Sequence, residues 1–293
     1  MAKTETPHAA HPELDAYPVE DLVSVFVQDQ GEAIEAVLAA RAQIASAVDA
    51  ALPRIEAGGR LIYMGAGTSG RLALLDSVEL NPTFSWPPER SVALVAGGRR
   101  AIYEAVEGAE DDEAQGERDM RGAAPTAKDV AILLAASGTT PYVLAGLRVA
   151  RAAGALTVGV VNNPDAPIAT QSDFGIVLDT GSELISGSTR LKAGTAQKIA
   201  LNTFSSTLMI RLNKVYGNLM VDMRPTNAKL MRRAVMLTVL ATGTDEAIAR
   251  STLERCGFQV KVAILAISRA LDVEDARARL EAARGNLRAA MAS

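Results

Sequence analysis

Five short apolar runs at residues 61–64, 92–96, 130–134, 157–161 and 174–178 constrain this chain more than any other feature. Each is followed by a loop rich in glycine or hydroxyl side chains, and then by a stretch of helical periodicity. A strand that is apolar throughout has to be buried on both faces, and strands alternating with helices are connected in parallel. The pattern therefore predicts an α/β fold of flavodoxin-like type: a five-stranded parallel sheet with helices on both faces. In such sheets ligands bind where the loops leave the carboxyl ends of the strands.

Outside the alternating region the chain is helical. Leu22, Val25 and Phe26, then Ile34, Val37 and Leu38, then Ile44 and Val48 recur at helical spacing before Gly58-Gly59, which predicts two helices over residues 19–56. Long helical blocks are expected near 193–215 and 227–240, the second stopping at Thr242-Gly243. Asp245 is placed to cap a short helix to about residue 255, and further helices fit 259–271 and 273–284. The expected organisation is an N-terminal tail over 1–18, a main domain over 19–242 with its N-terminal helices, and a small three-helix C-terminal module over 243–293, UBA-like in scale.

Composition removes several functions. With 30 basic and 34 acidic side chains the net charge is −4, so the positive field that carries non-specific nucleic-acid binding is missing. A single cysteine, Cys256, excludes an intrachain disulfide and any multi-cysteine zinc site, and fits a reducing cytoplasm. Both histidines, His8 and His11, lie in the N-terminal stretch, so a body without that stretch has no imidazole for a triad or a metal. The N-terminus lacks the basic start and apolar run of a signal peptide. No stretch of about 18 uninterrupted apolar residues is present, so no membrane span is expected.

The loop Gly65-Ala66-Gly67-Thr68-Ser69-Gly70 satisfies G-x-G-x-x-G between a strand and a helix. A dinucleotide site also needs an acidic residue at the end of the second strand, where this chain has Gly97-Gly98-Arg99-Arg100. The paired hydroxyls of Thr68 and Ser69 at a helix start suit a phosphate monoester instead. Ser137-Gly138-Thr139-Thr140-Pro141 repeats the arrangement after another strand, with Pro141 suited to the first helical turn. Two such loops at one end of one sheet point to a phosphorylated polyol. A third hydroxyl-rich stretch, 186–192, adds Arg190 and Lys192 as cations. No G-x-x-x-x-G-K-[ST] is present, so an ATP-type phosphate loop is not expected.

Proton transfer falls to carboxylates. Glu79 lies near the end of the helix begun at Gly70, and a second acidic run spans Glu104 to Glu113. On a helical wheel Ile102, Ala105, Val106 and Ala109 form an apolar arc, with Glu104 and Glu107 pointing away from it. Glu110 borders that arc, and Glu113 enters it if the helix continues past Gly108, so spacing leaves both open.

Several long segments carry a family resemblance: GRLIYMGAGTSGRL from Gly59, AVEGAED from Ala105, ASGTTPYVLAGL from Ala136, STRLKAGTAQK from Ser188 and GNLMVDM from Gly217. With these the chain resembles the N-acetylmuramic acid 6-phosphate etherases of the sugar isomerase (SIS) fold group, from about Gly59 through the C-terminal module. The resemblance implies a lyase that cleaves the lactyl ether of its phosphorylated amino-sugar substrate, giving N-acetylglucosamine 6-phosphate and D-lactate in peptidoglycan recycling. It also implies a homodimer and no metal or other cofactor. The family's catalytic glutamates fall on Glu79, as acid, and Glu110, as base; its substrate loops fall on Gly67-Thr68-Ser69 and on Ser137-Gly138-Thr139-Thr140.

This chain departs from the family's usual pattern at Thr139, where an arginine is usual, at Leu80-Asn81 in place of Cys-Pro, and at Thr6-Pro7 in place of Arg-Asn. Rival readings on the same fold are an aldose–ketose isomerase and a non-catalytic sugar-phosphate sensor. Known sensors have two such sheet domains, and this chain has room for one.

Overall fold

In the computed structural model, which describes residues 2–292, the chain forms two compact units. The outermost residues of the expected tail and C-terminal module, Met1 and Ser293, lie outside it. One unit comprises the chain up to Val78 together with Pro88–Ser206; the other comprises Glu79–Pro87 and the chain from Thr207 onward.

The first unit opens with two short 3-10 turns, Lys3–Glu5 and Leu14–Ala16, and three helices, α1 (Val19–Asp29), α2 (Gly31–Ala39) and α3 (Arg41–Glu56). Two helices were expected here. The chain turns at Gln30 and again at Ala40 without proline, and neither residue makes a side-chain cap bond, so the second break left no punctuation. Then follow β1 (Leu61–Gly65), α4 (Gly67–Phe84), β2 (Ser91–Val95), α5 (Glu113–Gly122), β3 (Val130–Leu134), α6 (Pro141–Ala152), β4 (Leu156–Val161), α7 (Pro167–Gln171), β5 (Phe174–Val177) and α8 (Lys192–Arg211), with α4 from Glu79 and α8 from Thr207 counted in the second unit.

All five strands are parallel, in the order β2-β1-β3-β4-β5. This is the flavodoxin-like order, in which the chain leaves β1 in one direction and resumes at β3 in the other. Every residue of β1, β3 and β4 is buried. Ile62, Met64, Ala131 and Leu133 pack against Met120 of α5 and Tyr142, Val143 and Leu147 of α6, while α3 packs along β3, β4 and β5. Burying one such aliphatic side chain contributes about 1.5–3 kcal/mol, so this core is the main stabilising term of the unit. Gly65 of β1 is in register with Leu134 of β3, which places the two following loops side by side at the carboxyl edge.

The second unit contains α9 (Ala228–Thr242), α10 (Glu246–Arg255), α11 (Val260–Arg269), α12 (Val273–Ala282) and α13 (Leu287–Ala292). Two of its boundaries are those the sequence signals, Asp245 accepting from the Ile248 N–H at 3.0 Å and Gly243 ending α9 at φ +72°, and Asn227 caps α9 by accepting from the Leu230 N–H at 3.0 Å. Leu237, Leu253, Val260, Ile264 and Leu287 share one apolar core. The last turn of helix, α13, follows the three expected ones; at 6 residues it is too short for periodicity to reveal. No helix among the described residues is long and apolar enough to cross a membrane.

Candidate active site

The loop after β1 is built by close backbone approach. A Cβ on Gly65 would sit 2.8 Å from the Gly70 nitrogen, and one on Gly70 would sit 2.7 Å from the Gly65 oxygen, so both positions demand glycine. The first helical bond of α4 runs from Gly70 N–H to Ala66 O at 3.1 Å, leaving the preceding N–H groups for an anion. Thr68 is half-buried, and its hydroxyl makes no hydrogen bond among the described residues. Ser69 is wired inward. Its Oγ donates to Gln197 Oε1 at 2.7 Å, and Gln197 Nε2 donates to Asn162 Oδ1 at 3.0 Å. Asn162 Nδ2 in turn reaches the carbonyls of Leu178 and Ala193 at 3.1 and 3.3 Å. All three side chains are buried. The single hydroxyl proton of Ser69 is therefore already committed.

The loop after β3 is wired outward. Ser137 Oγ accepts from the Thr139 N–H and from Thr139 Oγ1, both at 3.2 Å, which leaves its own proton for a ligand. Gly138 has φ +71°, and a Cβ there would lie 2.3 Å from Ala166 Cβ, so no other residue fits the turn. Thr140 occupies the N-cap position of α6 without a side-chain cap bond, and Pro141 starts the helix. Thr139 is exposed and Thr140 half-buried.

The stretch before α8 offers one free cation among the described residues, where two were expected. Lys192 is 1% exposed and is bound to Asp29 Oδ1 at 2.7 Å and Glu32 Oε2 at 2.5 Å. Burial alone would lower its pKa, but those two carboxylates outweigh burial and hold it above the ordinary lysine value. Glu183, fully buried, accepts from the N–H groups of Lys192 and Ala193 at 3.1 and 3.0 Å, anchoring the start of α8. Burial pushes its carboxyl above the usual range. Arg190 is exposed and makes no ion pair among the described residues.

The acidic segment does not continue as one helix past Gly108, the point that spacing left open. A 3-10 turn at Gly98–Ile102 gives way to irregular chain, Gly108 takes φ +71°, a second 3-10 turn spans Ala109–Asp111, and α5 starts at Glu113. The left-handed Gly108 resets the direction of the chain, so a wheel drawn through it does not apply. Arg71 of α4 holds the segment by donating to the carbonyls of Ala101 and Glu104, both at 3.0 Å. Glu110 is exposed and lines a cleft of about 220 Å³ together with Gly67, Arg71, Val106 and Ala109. Glu113 instead pairs with Arg148 at 2.7 Å. Of the two acids that spacing left open, Glu110 shares a cleft with the β1 loop.

Glu79 is exposed on α4. Three residues earlier in the chain, within the first unit, the buried Asp76 accepts from Tyr63 OH at 2.9 Å, Asn202 Nδ2 at 2.7 Å and Ser205 Oγ at 3.0 Å. Burial raises the Asp76 carboxyl above its ordinary pKa despite these donors. Gln197, Asn162 and Asp76 are site-supporting residues that motif reading passed over. Gln197 lies inside STRLKAGTAQK, but nothing local marks its partner. Among the described residues no group of three or more His, Cys, Asp or Glu is placed to hold a metal.

Two family models match this chain: the glucokinase regulatory protein N-terminal SIS domain over residues 43–151, and the SIS domain over residues 110–206. An N-acetylmuramic acid 6-phosphate etherase of Deinococcus radiodurans is 57% identical over 286 residues, covering 98% of this chain and 94% of that protein. The chain belongs to the N-acetylmuramic acid 6-phosphate etherase family. Another member, from Serratia proteamaculans, is 47% identical over 288 residues, with 98% of this chain and 97% of that protein covered. A solved structure extends the fold beyond the family. A putative phosphosugar isomerase involved in capsule formation from Bacteroides fragilis has TM-score 0.52 at 19% identity, covering 69% of this chain and 95% of its own. At that identity the likeness concerns the fold alone.

Proposed function

We propose that this chain cleaves the lactyl ether of N-acetylmuramic acid 6-phosphate, releasing D-lactate and N-acetylglucosamine 6-phosphate, as a carbon–oxygen lyase of the cytoplasm. The observation that carries the reading is the 57% identity to a named etherase across 98% of the chain. The cleft that joins Glu110 to the β1 loop supports it.

The chemistry follows from the open-chain sugar. Its aldehyde acidifies the proton on the adjacent carbon, and Glu110 as carboxylate removes it. The electron pair forms a carbon–carbon double bond as the lactate oxygen on the next carbon leaves, taking a proton from Glu79 as acid. Water then adds across the double bond, its hydroxyl on the carbon that lost lactate and its proton on the carbon that lost hydrogen. The sum is one water consumed and one lactate released. The N–H groups at the start of α4, the Thr68 hydroxyl and the free proton of Ser137 hold the phosphate and sugar. A bound anion at a helix start gains from the N–H donors and from the helix dipole together.

Purified protein incubated with N-acetylmuramic acid 6-phosphate is expected to release stoichiometric D-lactate. Absence of lactate with interconversion of aldose and ketose phosphates would replace the reading by an isomerase. Val19, Val23 and Val27 of α1 are more than half exposed at helical spacing, as are Ile34 and Leu38 of α2. An apolar face of this kind supports a homodimer, and light scattering of the same preparation is expected to give twice the chain mass.

A further inference from the structure

The N-terminal segment is tied to the carboxyl edge of the sheet by polar contacts. Thr4, in the 3-10 turn Lys3–Glu5, is fully buried. Its Oγ1 accepts from Asn163 Nδ2 at 3.1 Å, and its N–H reaches Asn163 Oδ1 at 3.4 Å. The same Asn163 Nδ2 donates to the carbonyl of Ala136 at 2.9 Å, one residue before Ser137. On its other side the Thr4 carbonyl accepts from the Gly187 N–H at 3.0 Å, and Ser186 Oγ donates to the Glu5 carbonyl at 2.8 Å. Lys3 pairs with Asp179 at 2.6 Å. One threonine thus connects the loop after β3 to the loop before α8.

Apolar packing does not explain this attachment, because Lys3, Thr4 and Glu5 bring almost no apolar surface. A short polar segment stays disordered unless something repays its ordering, and a buried hydroxyl costs free energy unless bonded. Both requirements are met here by groups next to the hydroxyl loops.

We propose that Thr4 is a positioning residue of the substrate site: through Asn163 it sets the Ser137 loop, and through Gly187 it sets the 186–189 loop, so that both face one ligand. This rests on the etherase reading for the identity of the substrate. Thr4→Val keeps the shape and removes the hydroxyl; Thr4→Ser keeps the hydroxyl. In steady-state D-lactate assays Thr4→Val is expected to raise KM roughly tenfold with kcat within about threefold, and Thr4→Ser to stay within about twofold of wild type in both. A merely structural role would lower the active fraction, and hence kcat, at unchanged KM.

Unchanged KM in Thr4→Val overturns the proposal, as does an equal rise in both variants. Should wild type release no lactate, the etherase reading fails separately. Thr4 is then judged by calorimetric binding of N-acetylglucosamine 6-phosphate to wild type and both variants. A roughly tenfold weaker Kd confined to Thr4→Val supports the assignment, and equal affinities, or no binding by wild type, overturn it.

Discussion

The two edges of the sheet use polar groups in opposite ways. At the amino edge donors and acceptors are closed on one another. Asp129, just before β3, accepts from the Arg60 N–H at 2.8 Å, from Arg60 Nη2 at 2.8 Å and from the Thr126 N–H at 2.8 Å. Asp173 does the same for Thr157, taking both its N–H and its hydroxyl at 2.8 Å. Arg90 closes on the carbonyls of Ile55 and Gly59, both at 2.6 Å. At the carboxyl edge, Thr68, Ser137, Arg190 and Glu110 keep unspent hydrogen-bonding or charge capacity. A closed network stabilises the fold and has nothing left to offer a ligand; an open one costs little because water satisfies it until a ligand arrives. Ser69 shows that the division follows wiring and not location, since it lies at the carboxyl edge and is closed.

Substitutions at the two edges should therefore separate activity from stability. The largest effect is expected at Glu110. Glu110→Gln should lower kcat by about 10²- to 10⁴-fold and abolish incorporation of solvent deuterium beside the aldehyde, with the melting temperature unchanged. Glu79→Gln should slow lactate release while exchange into unreacted substrate persists, and Glu113→Gln should do neither. Exchange retained by Glu110→Gln but lost in Glu79→Gln would reverse the two roles.

Next is Asp129→Ala at the amino edge, which removes the acceptor of the Arg60 and Thr126 N–H groups while Arg60 Nη2 keeps the Ala124 carbonyl, and should cost roughly 3 kcal/mol in urea unfolding, with kcat/KM of the folded protein unchanged. Burial pushes the Asp129 carboxyl up, but the Arg60 side chain and the N–H groups of Arg60 and Thr126 outweigh burial and hold its pKa below the ordinary 3.8. Its folded pKa is depressed, so its contribution is complete above pH 3.8 and is lost as pH falls from there through the folded value. Wild type should lose stability over that acid window, and Asp129→Ala should show a flatter profile there.

The smallest effects test the contrast within the carboxyl edge itself. Ser137→Ala removes a free donor and should raise KM about 10- to 150-fold, the worth of one bond to a charged group. Ser69→Ala should change KM by less than about threefold and instead cost about 1–3 kcal/mol of stability, because Gln197 Oε1 is left buried without its donor. Equal KM effects at the two serines would show that Ser69 swings away from Gln197 to meet the ligand, and the distinction between closed and open wiring would fail at this edge.

What the sequence determined by itself is local. The strands at 61–64 and 130–134, the cap at Asp245, the stop at Gly243 and both glycine-hydroxyl loops follow from periodicity and turn chemistry within a few residues. Only the tertiary structure decided how those loops are wired. Ser69 meets Gln197 across 128 positions and Thr4 meets Asn163 across 159, and a hydrogen bond between such partners depends on a register that neither segment encodes. Lys192 reads as a free cation until α1 and α2 bring Asp29 and Glu32 to it. Glu110 and Glu113 are equivalent by spacing until Gly108 turns left-handed and Arg148 takes the second of them. Local preference involves neighbours in the chain and can be read in order; donor and acceptor pairing involves neighbours in space, and exists only once the sheet has set the distance between loops.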